Sequence, residues 1–383
     1  MTKSSPTWRL LCVAGARPNF VKIAPLIHEM DRRAEFWPHL VHTGQHYDER
    51  LSKVFFDELR IPKPNVTLGV GSGTHAAQTA RVMERFEPIL EQQQPHAVVV
   101  VGDVNSTMAC AVVASKFQRH EPLGKSGRRR PLVVHVEAGL RSLDNDMPEE
   151  INRRLTDAIS DVLLVSDPAG LEHLKREGVP GDRVTYVGNV MIDTLTSARK
   201  LAAERKTVQE LGLAEGHYLL VTLHRPSNVD DPEKLAALLT AIAALEPELP
   251  CVFPIHPRTR QRLADAGIAL DGVRWKLTQP LGYFEFLRLQ MSARAVLTDS
   301  GGVQEETTVL GVPCVTVRDN TERPVTISEG TNVLAGTDPA KLAPSYRDAL
   351  AKATAGRVPR FWDGMAATRI VDHLHTVLNA ATD

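Results

Sequence analysis

Short, continuously apolar runs alternate along the chain with longer stretches in which apolar residues recur every three or four positions. WRLLCVAG, HAVVVVGD, PLVVHVEAG and DVLLVSD are rich in Val and Leu and end in Gly or Asp, the pattern of strands buried on both faces of a parallel sheet. NFVKIAPLIHEMDRR and SGTHAAQTARVMERFEPILEQQQ lie between them with helical periodicity, so the alternation predicts a doubly wound α/β sheet. The pattern restarts after residue 200. HYLLVTLH, CVFPIHP, VRWKL, ARAVLTDSGG and PCVTVRD read as a second strand set, with PEKLAALLTAIAAL and YFEFLRLQMS as helices between. The join is expected near VGNVMIDTL, giving an N-terminal domain over 1–190 and a C-terminal one over 191–361. FWDGMAATRIVDHLHTVLNA reads as a lone amphipathic helix, with 362–383 expected to cross back to the first domain. In the helix started by Pro148, residues Ile151, Leu155, Ala158 and Ile159 are expected to form the buried face.

Composition narrows the classes. A length of 383 residues suits two ordinary domains, and 43% hydrophobic with 24% charged residues is a globular mix. The 45 Lys and Arg nearly cancel the 46 Asp and Glu, so no global field recruits nucleic acid or an anionic membrane. Cys12, Cys110, Cys251 and Cys314 sit in apolar contexts without C-x-x-C spacing, which argues against zinc and for buried thiols in a reducing compartment. MTKSSPTW lacks the apolar core of a signal peptide, and no apolar run approaches the roughly 20 residues of a membrane span. The expectation is a cytoplasmic protein without nucleic-acid or membrane partners. HEPLGKSGRRRPL, 120–132, reads as a solvated basic loop.

Ligands of doubly wound sheets bind at the carboxyl ends of the strands, and there the polar residues concentrate. GARPNFVK, 15–22, is not G-x-G-x-x-G, which disfavours a nicotinamide cofactor. Gly15 is expected to allow a tight turn. Arg17 and Lys22 read either as an anion site or as surface charges, and cations opposing the macrodipole at a helix start favour the anion. VVVVGDVNST delivers Asp103, followed by Ser106 and Thr107, and Asp103 reads equally well as a helix N-cap. HVEAGLRSLDNDMPEEINRRLTD carries Glu137 at a strand end, Arg141 in the turn, and Glu149 and Glu150 in a helix first turn, where acids are ordinary. Glu137, between HV and AGL, is expected to be partly desolvated and suited to proton abstraction and return. His224 with Arg225 and His256 with Arg258 end two successive strands and suggest a cationic rim; no H-x-x-x-H or Cys partner supports a metal. In TDSGGVQEE, Gly301 and Gly302 would let backbone amides approach phosphate, Ser300 adds a hydroxyl, and Glu306 could accept from a ribose diol. The alternative is a plain glycine turn with solvated acids. Gly311 and Pro313 stop that helix.

Together the blocks GARPNFVKIAPL, TGQHYD, GDVNST, HVEAGLRS, MPEEINRRLTD, VGNVMIDTL, HRPSN, FPIHP, TDSGGVQEE and RDNTERP resemble, in order, the non-hydrolysing UDP-N-acetylglucosamine 2-epimerases of bacteria. The resemblance implies two Rossmann-like doubly wound domains facing across a cleft, the GT-B arrangement, in a homodimer without metal or cofactor. It implies interconversion of UDP-GlcNAc and UDP-ManNAc through elimination of UDP to 2-acetamidoglucal and re-addition. Arg17, Lys22, His224, Ser300, Gly301, Gly302 and Arg323 match residues around UDP, Phe286 the aromatic beside uracil, and Glu306 the ribose ligand. Asp103, Glu137 and Glu149 match the acid/base carboxylates, and His224 is also matched to phosphate departure. Gln45, Arg225 and His256 match parts of a second, activating substrate site. Three departures stand out. GARPN replaces G-T-R-P-E, Pro226 replaces a second arginine, and LGVGSGTHAAQ lacks the arginine expected near residue 75, which weakens the expectation of activation by substrate. Alternatives within the same motif set are an epimerase of a diacetamido uronic acid sugar, a hydrolysing epimerase, a GT-B glycosyltransferase, and a nucleotide-sugar sensor without turnover.

Overall fold

The structure, a computed structural model, describes residues 8–44, 58–255, 257–270 and 272–382, without the side chains of Arg17, Ser126, Arg258 and Thr382. The chain divides into two compact units, Met1–Thr194 with Phe361–Asp383, and Leu195–Arg360.

The first unit is built on seven strands, β1 (Trp8–Ala14), β2 (Phe36–His42), β3 (Val66–Thr67), β4 (Ala97–Val101), β5 (Leu132–Ala138), β6 (Val162–Val165) and β7 (Val184–Tyr186). Their order is β3-β2-β1-β4-β5-β6-β7, and every pairing is parallel. All five residues of β4 are buried, as expected of a central strand covered on both faces. The helices of this unit that flank the strand ends are α1 (Arg17–Asp31), α2 (His75–Gln93), α3 (Asn105–Lys116), α4 (Pro148–Ile159), α5 (Pro168–Arg176) and the start of α6 (Val190–Ala203).

The second unit repeats the plan with β8 (Leu219–Thr222), β9 (Cys251–Pro254), β10 (Trp275–Thr278), β11 (Ala295–Thr298), β12 (Cys314–Thr316) and β13 (Asn332–Leu334), in the order β10-β9-β8-β11-β12-β13. All of its pairings are parallel too. Each sheet therefore reverses its strand order beside its first strand, where a crevice opens at the strand ends. Here α7 (Pro232–Ala243), α8 (Pro257–Asp265), α9 (Tyr283–Ser292), α10 (Gly301–Leu310) and α11 (Leu342–Ala353) alternate with the strands.

The C-terminal helix α12 (Ala366–Thr382) lies against α1 of the first unit. Asp193 fixes its start by accepting from the amides of Ala366 and Ala367 at 3.1 and 2.7 Å. Trp362, fully buried, donates from Nε1 to the Ser166 carbonyl at 2.9 Å. Gly188 has φ 86°, and a Cβ there would stand 2.0 Å from the Phe361 carbonyl oxygen, so no other residue fits under the returning chain.

One helix departs from the expected packing. In α4 the residues turned inward are Glu150, Asn152, Arg153, Thr156 and Asp157, while Ile151 and Leu155 are 43% and 46% exposed. Ala158 is exposed and Ile159 half-buried, so the expected apolar face is not the buried one. Periodicity locates a stripe but not the side that is covered. The inward polar face of α4 is held by the polar ends of β4 and β5.

Candidate active site

In the first unit the candidate carboxylates surround the ends of β4 and β5. Glu137 is 5% exposed and takes φ 74°, a left-handed conformation that strains a non-glycine residue. The register between β5 and β6 slips there, between Val136 and Ala138. Its Oε2 receives the Lys22 ammonium, itself 5% exposed, in a buried ion pair. Lys22 is thus paired with a carboxylate of its own unit. Gly102, φ 68°, lies beneath the pair: a Cβ there would be 3.2 Å from Glu137 Oε2 and 3.3 Å from Lys22 Nζ.

Asp103 is not the N-cap of α3; Val104 is, without a side-chain cap bond. The Asp103 carboxylate, 27% exposed, takes two hydrogen bonds on Oδ2 from Arg153, from Nη2 at 2.8 Å and Nε at 3.0 Å. Asn152 donates to its carbonyl at 2.9 Å. Glu150 is structural: it is 1% exposed, pairs with Arg153 at 2.6 Å and accepts from the Ser142 amide at 2.9 Å. Glu149, one position earlier in the α4 first turn, is half-buried, and its side chain makes no hydrogen bond or ion pair among the described residues. Arg141 turns inward, to Asp157 at 2.7 Å and to Glu177 at 2.7 and 2.9 Å. Burial works against its charge, but Glu177 and Asp157 outweigh it and hold the guanidinium above its ordinary basicity.

The altered GARPN block closes the N-terminus of α1 in its own way. Asn19 Oδ1 accepts from the amides of Gly15 and Ala16 at 3.2 and 3.0 Å, and Asn19 Nδ2 donates to the Val101 carbonyl at 2.8 Å. The side chain three residues past the cap thereby does the work of the acid in a capping box and ties β1 to β4. Gly15 is needed for close packing rather than for a turn. Its φ is not left-handed, and a Cβ there would lie 2.5 Å from Ser106 Oγ.

In the second unit the centre is Asp299, a residue without an assigned role in the sequence. It is fully buried at the end of β11 and accepts from the His224 amide at 3.0 Å, the Arg225 amide at 2.9 Å and Asn228 Nδ2 at 3.1 Å. His224 Nδ1 meets its other oxygen at 2.8 Å. Burial pushes the Asp299 carboxyl up, yet these donors, His224 first, hold it below the usual carboxylate range. The His224 ring is 57% exposed, so Asp299 fixes which nitrogen faces inward and leaves Nε2 on the open edge.

Helix α10 begins at Ser300 without a side-chain cap, so its first amides are open to a ligand. Gly301 permits a close approach: a Cβ there would stand 2.6 Å from Arg323 Nη1 and 2.9 Å from Cζ. Arg323 also faces Glu305 at 2.7 Å and Glu322 at 3.2 Å; Arg318 grips Glu322 at 2.7 Å, with Arg225 at 3.8 Å. Arg323 and Arg318 thus meet the buried acids Glu305 and Glu322, with Arg225 near Glu322. Of the expected cationic rim only His224 and Arg225 are placed, since His256 and the Arg258 side chain lie outside the described residues. Glu306 is buried in the second turn of α10 and accepts from Tyr283 at 2.9 Å and Gln290 at 2.6 Å. Each oxygen carries one of those bonds and retains a second lone pair. Burial pushes its carboxyl up, and the two donors offset this only in part. Phe286 on α9 is half-buried against the core of the second unit. Gln45, His256 and the Arg17 side chain lie outside the described residues, so of the proposed second site only Arg225 is placed. Among the described residues no cluster of His, Cys, Asp or Glu could hold a metal, and no helix is long and apolar enough to cross a membrane.

The family model for UDP-N-acetylglucosamine 2-epimerase matches residues 28–375. The chain belongs to that family. A UDP-N-acetylglucosamine 2-epimerase of Methanocaldococcus jannaschii is 39% identical over 371 residues, 95% of this chain and 98% of the relative. The crystal structure of the M. jannaschii UDP-GlcNAc 2-epimerase in complex with UDP-GlcNAc and UDP superposes with TM-score 0.86 at 39% identity, over 96% of this chain and 99% of that one. A UDP-2,3-diacetamido-2,3-dideoxy-D-glucuronate 2-epimerase of Pseudomonas aeruginosa is 37% identical over 370 residues, 96% and 99% of the two chains. The family is therefore one of epimerases, and the chain is an isomerase with two doubly wound α/β units.

Proposed function

We propose that this family member inverts C2 of UDP-N-acetylglucosamine to give UDP-N-acetylmannosamine. The observation that carries the reading is the buried Glu137 carboxylate, strained and paired with Lys22, beside the Gly102–Asp103 turn. The likeness to the M. jannaschii epimerase with UDP-GlcNAc and UDP supports the substrate.

One carboxylate of the first unit removes the C2 proton while the C1–O bond to UDP breaks; the electron pair of the C2–H bond becomes the C1–C2 double bond of 2-acetamidoglucal, and UDP carries the charge away. Addition reverses the step, with C1–O reforming and a second carboxylate returning a proton to the opposite face of C2. Asp103, Glu137 and Glu149 are assigned these proton transfers, each of the kind worth ~10²–10⁴-fold in rate. Ser300, Gly301, Gly302 and Arg323 are assigned the diphosphate, Phe286 the uracil and Glu306 the ribose. Asp299 holds His224 with Nε2 outward, where it can donate to the departing phosphate.

The test is incubation with UDP-GlcNAc in heavy water. Deuterium at C2 of both epimers, without release of free sugar, is the expected result. Absence of exchange sinks the proposal, and release of N-acetylmannosamine would make the enzyme hydrolysing. A second reading, the same inversion on a UDP-diacetamido uronic acid, is favoured by the 37% identity to the P. aeruginosa enzyme and is decided by comparing kcat/KM for the two sugars.

A further inference from the structure

Below the candidate carboxylates the first unit buries a second set of ionisable groups that the proposed chemistry does not use. His135 in the middle of β5 is fully buried, and Asp157 on α4 is 1% exposed. His135 Nδ1 lies 2.6 Å from Asp157 Oδ1, and its Nε2 lies 2.9 Å from the Gly102 carbonyl oxygen. Both neighbours are acceptors, so the ring donates at both nitrogens. The other Asp157 oxygen, Oδ2, accepts from the Gly139 amide at 3.0 Å and from Arg141 at 2.7 Å. Burial pushes the Asp157 carboxyl up, and His135 and Arg141 outweigh it and hold it ionised below the usual range.

These bonds bracket two of the three candidate acid/base residues, Glu137 and Asp103. Asp157 grips the side chain two residues before Glu137 and the backbone two residues after it, and so spans the strained position with φ 74°. A left-handed conformation strains a non-glycine residue and persists only where its surroundings over-determine it. His135 carries the same constraint to the next strand. The Gly102 amide is held by the Val136 carbonyl at 3.1 Å and its carbonyl by the His135 ring, which fixes the peptide leading into Asp103.

We propose that His135 and Asp157 form one positioning clamp for both carboxylates, holding Glu137 in its left-handed conformation and the Gly102–Asp103 peptide in place. Neither residue is assigned to the substrate. The role of the clamp in turnover rests on the epimerase reading above; the geometry of the clamp does not.

Two measurements test it. In the intact wild-type protein, ¹⁵N-edited spectra should show two slowly exchanging, far-downfield imidazole N–H signals from His135, both absent in His135→Gln; a single signal overturns the double-donor clamp. In kinetics, His135→Gln and Asp157→Asn should lower kcat by roughly 10²-fold while KM and the Kd for UDP stay within about threefold, because well-placed reacting groups are worth that much and the nucleotide residues are untouched. The double variant should lose little more than the worse single one, as expected of a unit. Folded variants with kcat within about threefold of wild type, or additive losses, overturn the proposal. If Asp157→Asn does not fold, His135→Gln and the wild-type spectrum decide. A wild-type protein with both imidazole signals but no C2 exchange would overturn the epimerase reading and leave the clamp standing.

Discussion

At Asp299, backbone amides, an asparagine and an imidazole converge on one buried carboxylate. Asparagine in its place presents an NH₂ to groups that are themselves donors. Asp299→Asn is expected to lower stability by about 1–3 kcal/mol through the unsatisfied donors and to lower kcat by roughly 10²-fold, because His224 loses the carboxylate that holds Nδ1 and aims Nε2 outward. Urea unfolding and steady-state rates measure both, and an unchanged kcat would remove His224 from the chemistry. Gly301 makes a narrower case. The alanine methyl group would displace the Arg323 guanidinium without touching the core, since the nearest atoms are those of Arg323. Gly301→Ala should weaken UDP binding by about tenfold, the worth of roughly one charge-assisted hydrogen bond, and should also lower thermal stability, because the displaced guanidinium is the counter-ion of the buried Glu305 and Glu322. Calorimetric titration with UDP reads this directly, and wild-type affinity would place Arg323 off the diphosphate.

At the scale of elements, α4 ties the carboxylate machinery to the fold by its inverted burial. Its inward face carries Arg153, shared between Asp103 and Glu150, and Asp157. Arg153→Met would leave the buried Glu150 without its counter-ion, and a loss of about 3–5 kcal/mol is expected, the range for breaking one side of a buried pair. Leu155→Gln, on the half-exposed apolar face, should stay within about 0.5 kcal/mol. Equal losses from the two substitutions in chemical unfolding would contradict the observed orientation. The same helix shows where sequence reading ran out. The strands were legible because continuous runs such as HAVVVVGD suit a doubly covered strand, and their polar ends pointed to Asp103, Glu137, His224 and the α10 turn. The face that α4 buries was not legible, because it depends on Asp103 and His135, on other elements. Lys22 on Glu137 is likewise a contact across 115 residues. Asp299 stood within TDSGGVQEE, but its inward orientation rests on the His224 and Arg225 amides and on Asn228, contacts across 71 to 75 residues that the local pattern does not carry.

For the molecule as a whole, the two crossings of the chain between units fall after Thr194 and after Arg360. Asp193 stands just before the first, and the amides it holds, Ala366 and Ala367, come soon after the second, so one carboxylate anchors both crossings to the first unit. Burial pushes that carboxyl up from 3.8 to about 6; the amides of Ala367 and Ala366 oppose the shift and nearby Asp363 adds to it. The sign follows from proton linkage. Between pH 4 and 6 the folded chain holds this proton more tightly than the unfolded chain, so the contribution is fully present below pH 4 and is lost as pH rises through 6. Its upper size is about 3 kcal/mol, since each tenfold gain in proton affinity is worth roughly 1.4 kcal/mol. Asp157 and Asp299, held low, act with the opposite sign: their stabilisation is present above the unfolded carboxylate range and is lost as pH falls below it. Bulk unfolding curves mix the two, and the difference between wild type and Asp193→Asn separates them. The variant keeps an acceptor for one helix amide, turns a donor on the other, and does not titrate. The stability difference, wild type minus variant, should therefore shrink as pH is raised from 4 to 7, and the protection of the first-turn amides of α12, corrected for the intrinsic pH dependence of exchange, should fall over the same interval in the wild type alone. A difference that is flat across that range would mean that Asp193 is ionised in the fold throughout, with the α12 amides outweighing its burial.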